Sequence, residues 1–143
     1  MIFSAQQIFS DDQVITASAD STNVIDLGVA GTPYGAVAAL NMDIGKGAMV
    51  PLLIQVTEAF DALTTLEIKV STGATTALGT TVLSQTIALA DLTLGKQTSF
   101  CVLPKDLTER YLGLEYVVVG TTPTVGKVTA GITMGVQTNV TGA

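Results

Sequence analysis

Leu66-Glu67-Ile68-Lys69-Val70 sets three branched apolar side chains at alternate positions, with a charge in each gap. Successive side chains of an extended chain point to opposite faces, so this stretch is a β-strand with one dry face and one wet face. The same period recurs on both sides of it. Leu52, Ile54 and Val56 alternate with Leu53, Gln55 and Thr57, and Pro51 stands at the start of the run, where a strand tolerates it. Alternation continues in Leu83, Ile87 and Leu89, in Phe100 and Val102, in Leu112, Leu114, Tyr116 and Val118, and in Val128, Ala130, Ile132, Met134 and Val136. Two shorter runs, Val14 to Ala17 and Val24 to Leu27, bring the expected count to about eight strands.

Turn formers separate these runs: Ala19-Asp20-Ser21, the Gly28 to Gly35 stretch with Pro33, Ser71-Thr72-Gly73, Leu94-Gly95-Lys96, and Gly120 to Gly126 with Pro123. Their spacing predicts an all-β sandwich or barrel, and the enrichment in Thr and Val agrees with a pleated surface. Ile54, Ile68, Phe100, Leu114 and Ile132 are expected in one core. Helix is expected only as short turns after Ser4, near Glu58 to Ala62, and over Pro104 to Arg110. At 143 residues the chain has the size of one domain.

Two segments fit a sandwich less well. Residues 1–12 carry Ile2, Phe3, Ile8 and Phe9, too apolar for a free tail and too irregular for a sheet. The expectation is an N-terminal arm over 1–12 ahead of a single domain over 13–143, the other reading being a segment folded back on its own core. The arm's candidate contact residues are Ile2, Phe3, Ile8 and Phe9, with Asp11 and Asp12 at its end. Residues 28–48 form a long loop of small residues with little charge, a length at which loops are often functional.

Composition excludes most chemistry. There is no His, the usual general acid or base near neutral pH and the commonest metal ligand, and a single Cys101 makes neither an internal disulfide nor a zinc cage. Charged residues are 13% of the chain, against about 25% in ordinary domains, so hydroxyls, glycine and small apolar groups cover much of the exterior. The net charge of −6 argues against nucleic acid, because phosphate binding needs clustered Lys and Arg. Residues 1–45 hold Asp11, Asp12, Asp20, Asp26 and Asp43 with no Lys or Arg, so a partner of the first third is expected to be basic. The longest apolar run, Ala48 to Ile54, is broken by Pro51 and far short of a spanning helix. The first basic residue is Lys46, so no secretory leader is expected, and the chain is read as made in a bacterial cytoplasm from Met1.

The remaining motifs read plainly. Gly45-Lys46-Gly47 lacks the earlier glycine and the Ser or Thr of a phosphate loop, and is a turn. Asp11, Asp12 and Asp43 lack calcium-loop spacing and are solvated acids. Asn139-Val140-Thr141 matches a glycosylation acceptor that has no meaning without secretion. Cys101, between Phe100 and Val102, is expected to be an unreactive strand thiol. Glu109, Arg110 and Tyr111 read as a solvated turn or interface rim. Catalytic, cofactor and metal residues are all expected to be absent. An enzyme would need a carboxylate-only mechanism, and seven Phe and Tyr without Trp make a thin supply of sugar platforms.

Met1-Ile2-Phe3-Ser4-Ala5-Gln6-Gln7-Ile8-Phe9-Ser10, then Ser21-Thr22-Asn23-Val24-Ile25-Asp26-Leu27-Gly28 and Gly31-Thr32-Pro33, resemble the capsid cement proteins of short-tailed bacteriophages. The motifs of this likeness lie in the first quarter, and it extends to the rest in size and strand content. It implies a jelly roll on the outside of an icosahedral head that locks neighbouring major capsid proteins together, structural and free of cofactors. The expected partners are the major capsid protein and neighbouring copies as dimers or trimers, with no nucleic acid and no membrane. A β-sandwich binding module, or a tail or spike accessory, is the alternative.

Overall fold

In the computed structural model, described over residues 3–40, 49–98, 102–105 and 107–135, the chain folds into two antiparallel sheets. Chain order is β1 (Phe3–Val14), β2 (Ala19–Asp20), β3 (Ile25–Asp26), β4 (Leu52–Glu58), β5 (Leu63–Gly73), β6 (Thr80–Ala88), β7 (Tyr111–Gly120) and β8 (Lys127–Thr133). One sheet runs β1-β8-β4; the other runs β2-β7-β5-β6, with β3 also on β7. Bridges Gln55 to Gln97 and Pro51 to Val102 carry the first sheet past β4. There the Val56 N–H donates to the Lys96 carbonyl, and the Thr98 N–H to that of Ile54. With that bridging segment counted in the first sheet, the chain changes sheet at every connection except β2 to β3, two pieces of one interrupted edge strand, and the β5–β6 hairpin. This is jelly-roll connectivity, which closes the strands around one core.

The core lies between the sheets because the dry faces of both point inward. Leu66, Ile68 and Val70 of β5 are essentially inaccessible, and they meet Leu52, Ile54 and Val56 of β4 in one cluster with Phe9, Leu114 and Tyr116. On the wet face of β5, Lys69 lies 3.8 Å from both Glu67 and Glu115. The expected core residues Ile54, Ile68 and Leu114 are buried, and Ile132 is partly buried against the cluster. Phe100 lies outside the described residues, as do Ile2, Asp43, Gly45-Lys46-Gly47, Cys101 and Asn139-Val140-Thr141.

Several local expectations change. Residues 3–14 are strand, not an irregular arm, and the expected boundary at 12/13 falls inside β1. The reason is register: β1 pairs β8 with irregularities between Phe3 and Ile8, Ile8 and Ser10, and Ser10 and Gln13. Each slip flips the face on which the next residues lie, so a true strand loses its period of two. Asp12 sits at one of these irregularities with φ of 48°. Val14 to Ala17 therefore ends a strand and turns, while Ala19–Asp20, expected as a turn, is β2. Ser4 is in β1, no helix forms over Glu58 to Ala62, and none is found in the described part of 104–110. Among the described residues the one helical turn is a 3-10 turn at Leu89–Asp91.

Candidate functional site

The connection from β3 to β4 supplies the clearest feature. It leaves β3 beside a clamp in which Arg110 Nε and its terminal nitrogen donate to the two Asp26 oxygens at 2.7 and 2.6 Å. The same guanidinium stands 4.9 Å from the Tyr111 ring centroid. Past the clamp, Gly31 and Leu40 exchange backbone hydrogen bonds of 3.3 and 2.8 Å, and the Ala36 N–H donates to the Pro33 carbonyl at 3.0 Å. These bonds fold residues 31–40 into a short hairpin whose tip is Pro33-Tyr34-Gly35. Pro33 supplies the accepting carbonyl as the first residue of this turn, and Gly35, its third, takes a φ of 84° that a side chain disfavours.

The hairpin is apolar and unsheltered. Tyr34 and Val37 are fully exposed, and Val29, Leu40 and Met49 are largely so. No residue from Leu27 to Leu40 is charged. Isolated surface apolars are ordinary, but a fully exposed Tyr34 and Val37 within one short hairpin are the kind of exposure that marks a contact site.

β1 is the second feature, and it divides the expected contact residues. Phe9 is completely buried among the core side chains of its own chain, so it leaves the contact set. Ile8 is half-buried opposite Gly131, and Phe3 is half-buried opposite Thr133. Phe3 helps line an apolar recess of about 160 Å³ with Ile132 and the exposed Met134. Asp11 is exposed. Asp12 is already engaged: it accepts from Thr57 Oγ1 at 2.7 Å and from Lys127 Nζ at 3.2 Å, while Lys127 also reaches Glu58 at 3.5 Å. Among the described residues no group of three or more acids or thiols stands close enough to hold a metal ion, and no helix is long and apolar enough to cross a membrane.

Inside the sandwich a polar stitch joins the sheets. Ser10 Oγ of β1 lies 2.8 Å from the Tyr116 hydroxyl of β7 and donates to Gln13 Oε1 at 2.7 Å. Burial pushes the Tyr116 phenol above its ordinary range, so it stays neutral and serves structure. At the turn before β8, Gly126 packs against Phe60, and a Cβ there would stand 2.3 Å from a ring carbon.

A model of the Bbp16 family matches residues 9–132, from the buried part of β1 to the last residues of β8. The chain belongs to the Bbp16 family. Bbp16 is a family of phage type, so the kinship expected from the first quarter of the sequence holds at that coarser level. No curated protein matches the chain. Within this Bbp16 member the matched span includes the hairpin and the Asp26–Arg110 clamp at its root. Sequence reasoning marked the loop by its length but missed Tyr34 and Val37. The signal that could have found them was an aromatic inside a Pro-x-Gly turn, where no core can reach it.

The clamp gives a pH prediction. Hydrogen bonds from Arg110 and from the Gly28 N–H lower Asp26 from the ordinary 3.8 to about 2. Hydrogen bonds from Thr57 and Lys127 lower Asp12, and those from the Thr124 hydroxyl and N–H lower Asp61. A depressed folded-state pKa means stability that is present above the unfolded value and lost as pH falls through the folded one. The melting temperature is therefore expected to decline from about pH 4 toward pH 2. Asp26→Asn should flatten part of that slope, and identical slopes in the two proteins would contradict the assignment.

Proposed function

We propose that this chain is a structural virion protein, a capsid cement or decoration protein that binds the outer surface of a phage head and stabilises contacts between major capsid protein subunits. The observation that carries the reading is the uncharged hairpin with Tyr34 and Val37 fully exposed, on a Bbp16-family sandwich. Aromatic and aliphatic side chains at the tip of a clamped loop suit burial against another protein, each contributing about 1.5–3 kcal/mol by transfer before ordering costs. Acidic residues of the first third, Asp11 among them, steer the chain toward basic patches on a shell. A ligand that bridges subunits of the assembled lattice stabilises that lattice by mass action, and many copies add avidity.

The test is co-sedimentation with empty heads of the cognate phage. The full chain is expected to pellet with heads, and to raise the temperature at which they open. Tyr34→Ser combined with Val37→Ser should leave the melting of the isolated chain unchanged and reduce retention on heads on the order of tenfold or more, the loss of about one buried side chain. A chain that stays in the supernatant at every concentration would overturn the reading. Unchanged retention of the double variant would remove the hairpin from it.

A further inference from the structure

Arg110 is the single arginine of a chain with six basic residues, and it stands at the root of the exposed hairpin. Exposed ion pairs contribute little to global stability, and this one is 39% and 43% exposed, so its bidentate geometry points to a local task. The segment that carries it is firmly held. Glu109 Oε2 accepts from Thr72 Oγ1 at the end of β5 at 2.9 Å, Tyr111 pairs with Asp26 in the ladder of β7 and β3, and the Arg110 carbonyl accepts from the Leu27 N–H at 2.8 Å. From that base the guanidinium lies by the Tyr111 ring and takes both Asp26 oxygens, while Asp26 Oδ1 also accepts from the Gly28 N–H at 2.9 Å. An arginine fork on a carboxylate fixes direction as well as distance. Asp26 is thereby locked beside Gly28, whose φ of 102° bends the chain out of β3.

Beyond that bend the core has no hold. From Val29 to Leu40 no residue is buried, so packing against the sandwich does not set where the tip points. The bonds between Gly31 and Leu40, and from the Ala36 N–H to the Pro33 carbonyl, keep the hairpin's shape but not its orientation. Among the described residues, orientation is set at the root.

We propose that Arg110 is a positioning residue for the contact hairpin: through Asp26 it fixes the Gly28 bend, so that Tyr34 and Val37 are presented in one arrangement before a partner arrives. The proposal rests on the reading of this hairpin as the contact site and adds what presets it. A partner binds only the molecules that present the right arrangement, and the apparent dissociation constant rises as that fraction falls. A hairpin loose at its root also loses more entropy when it is ordered at an interface. The clamp removes both costs in advance, at a place where its two charges add little to the stability of the fold.

The experiment compares the full chain with Arg110→Met, which keeps an apolar stem by Tyr111 and removes the fork. Lys69→Met is the control, because it changes the net charge by the same unit on the outer face of β5, away from the hairpin. Three quantities are read: melting, the rate of chymotrypsin cleavage after Tyr34 into 1–34 and 35–143, and retention on empty heads. Arg110→Met is expected to melt close to the wild type, to be cut after Tyr34 several-fold faster, and to need about tenfold more protein for half-retention, as when the hairpin presents its contact arrangement about a tenth of the time. Lys69→Met should match the wild type in cleavage and retention. Equal cleavage of Arg110→Met and the wild type overturns the proposal, and so does faster cleavage with unchanged retention. An equal loss of retention in Lys69→Met overturns it too, since net charge would then be the cause. A wild-type chain that heads do not retain overturns the capsid reading instead, and the cleavage comparison on the isolated protein then decides whether the clamp holds the hairpin.

Discussion

Phe9→Ala is expected to destabilise the isolated chain by about 3–5 kcal/mol, the usual cost of emptying a buried aromatic site. Phe9 is completely inaccessible in the cluster between the sheets, and its backbone carbonyl accepts from the Asn23 N–H at 2.9 Å. A domain of this size has a total stability of about 5–15 kcal/mol, so the substitution removes a large fraction of it. Phe3→Ala, on a half-buried residue at the recess, should cost clearly less. Denaturant unfolding of the three proteins checks both. A Phe9→Ala midpoint equal to that of the wild type would mean that β1 does not belong to the core. Deleting residues 2–10 is accordingly expected to unfold the protein, since it removes Phe9, Ser10 and most of the strand that pairs β8.

Ile68→Ala is the second large effect, about 2–5 kcal/mol, because Ile68 is buried on a strand paired on both sides, to Gln85 of β6 and Tyr116 of β7. With neighbours on two sides the site cannot collapse freely, and a residual cavity adds to the lost transfer energy. Its flanking charges provide the contrast. Lys69→Ala removes two ion pairs of 3.8 Å on the outer face, a kind that typically contributes under about 1 kcal/mol. Melting of the two variants should separate them clearly, and equal losses would mean that the alternation of β5 does not set its two faces.

How far the sequence could be read depended on how regular each strand is. β5 was legible from five residues, because pairing on both sides holds it straight and one face is dry throughout. β1 was not: its three register irregularities place Ile8, Phe9 and Ser10, consecutive residues, all in partly or fully buried positions. No period of two survives that. β2 was read as a turn because two residues show no period at all, and only the neighbouring β7, through Tyr116 and Glu115, makes them a strand.

By itself the sequence determined the all-β class, the approximate number of strands, most of the tested core residues and the shortage of groups for catalysis, because alternation and composition are local properties of the chain. The tertiary structure alone decided the rest. It moved Phe9 from an expected contact arm into the core, engaged Asp12 with Lys127, and lifted Tyr34 and Val37 clear of the sandwich. Each of these depends on which strand lies beside which. That is set by the closing of two sheets over a shared core, among residues as far apart in the chain as Ser10 and Tyr116, and no local pattern records it.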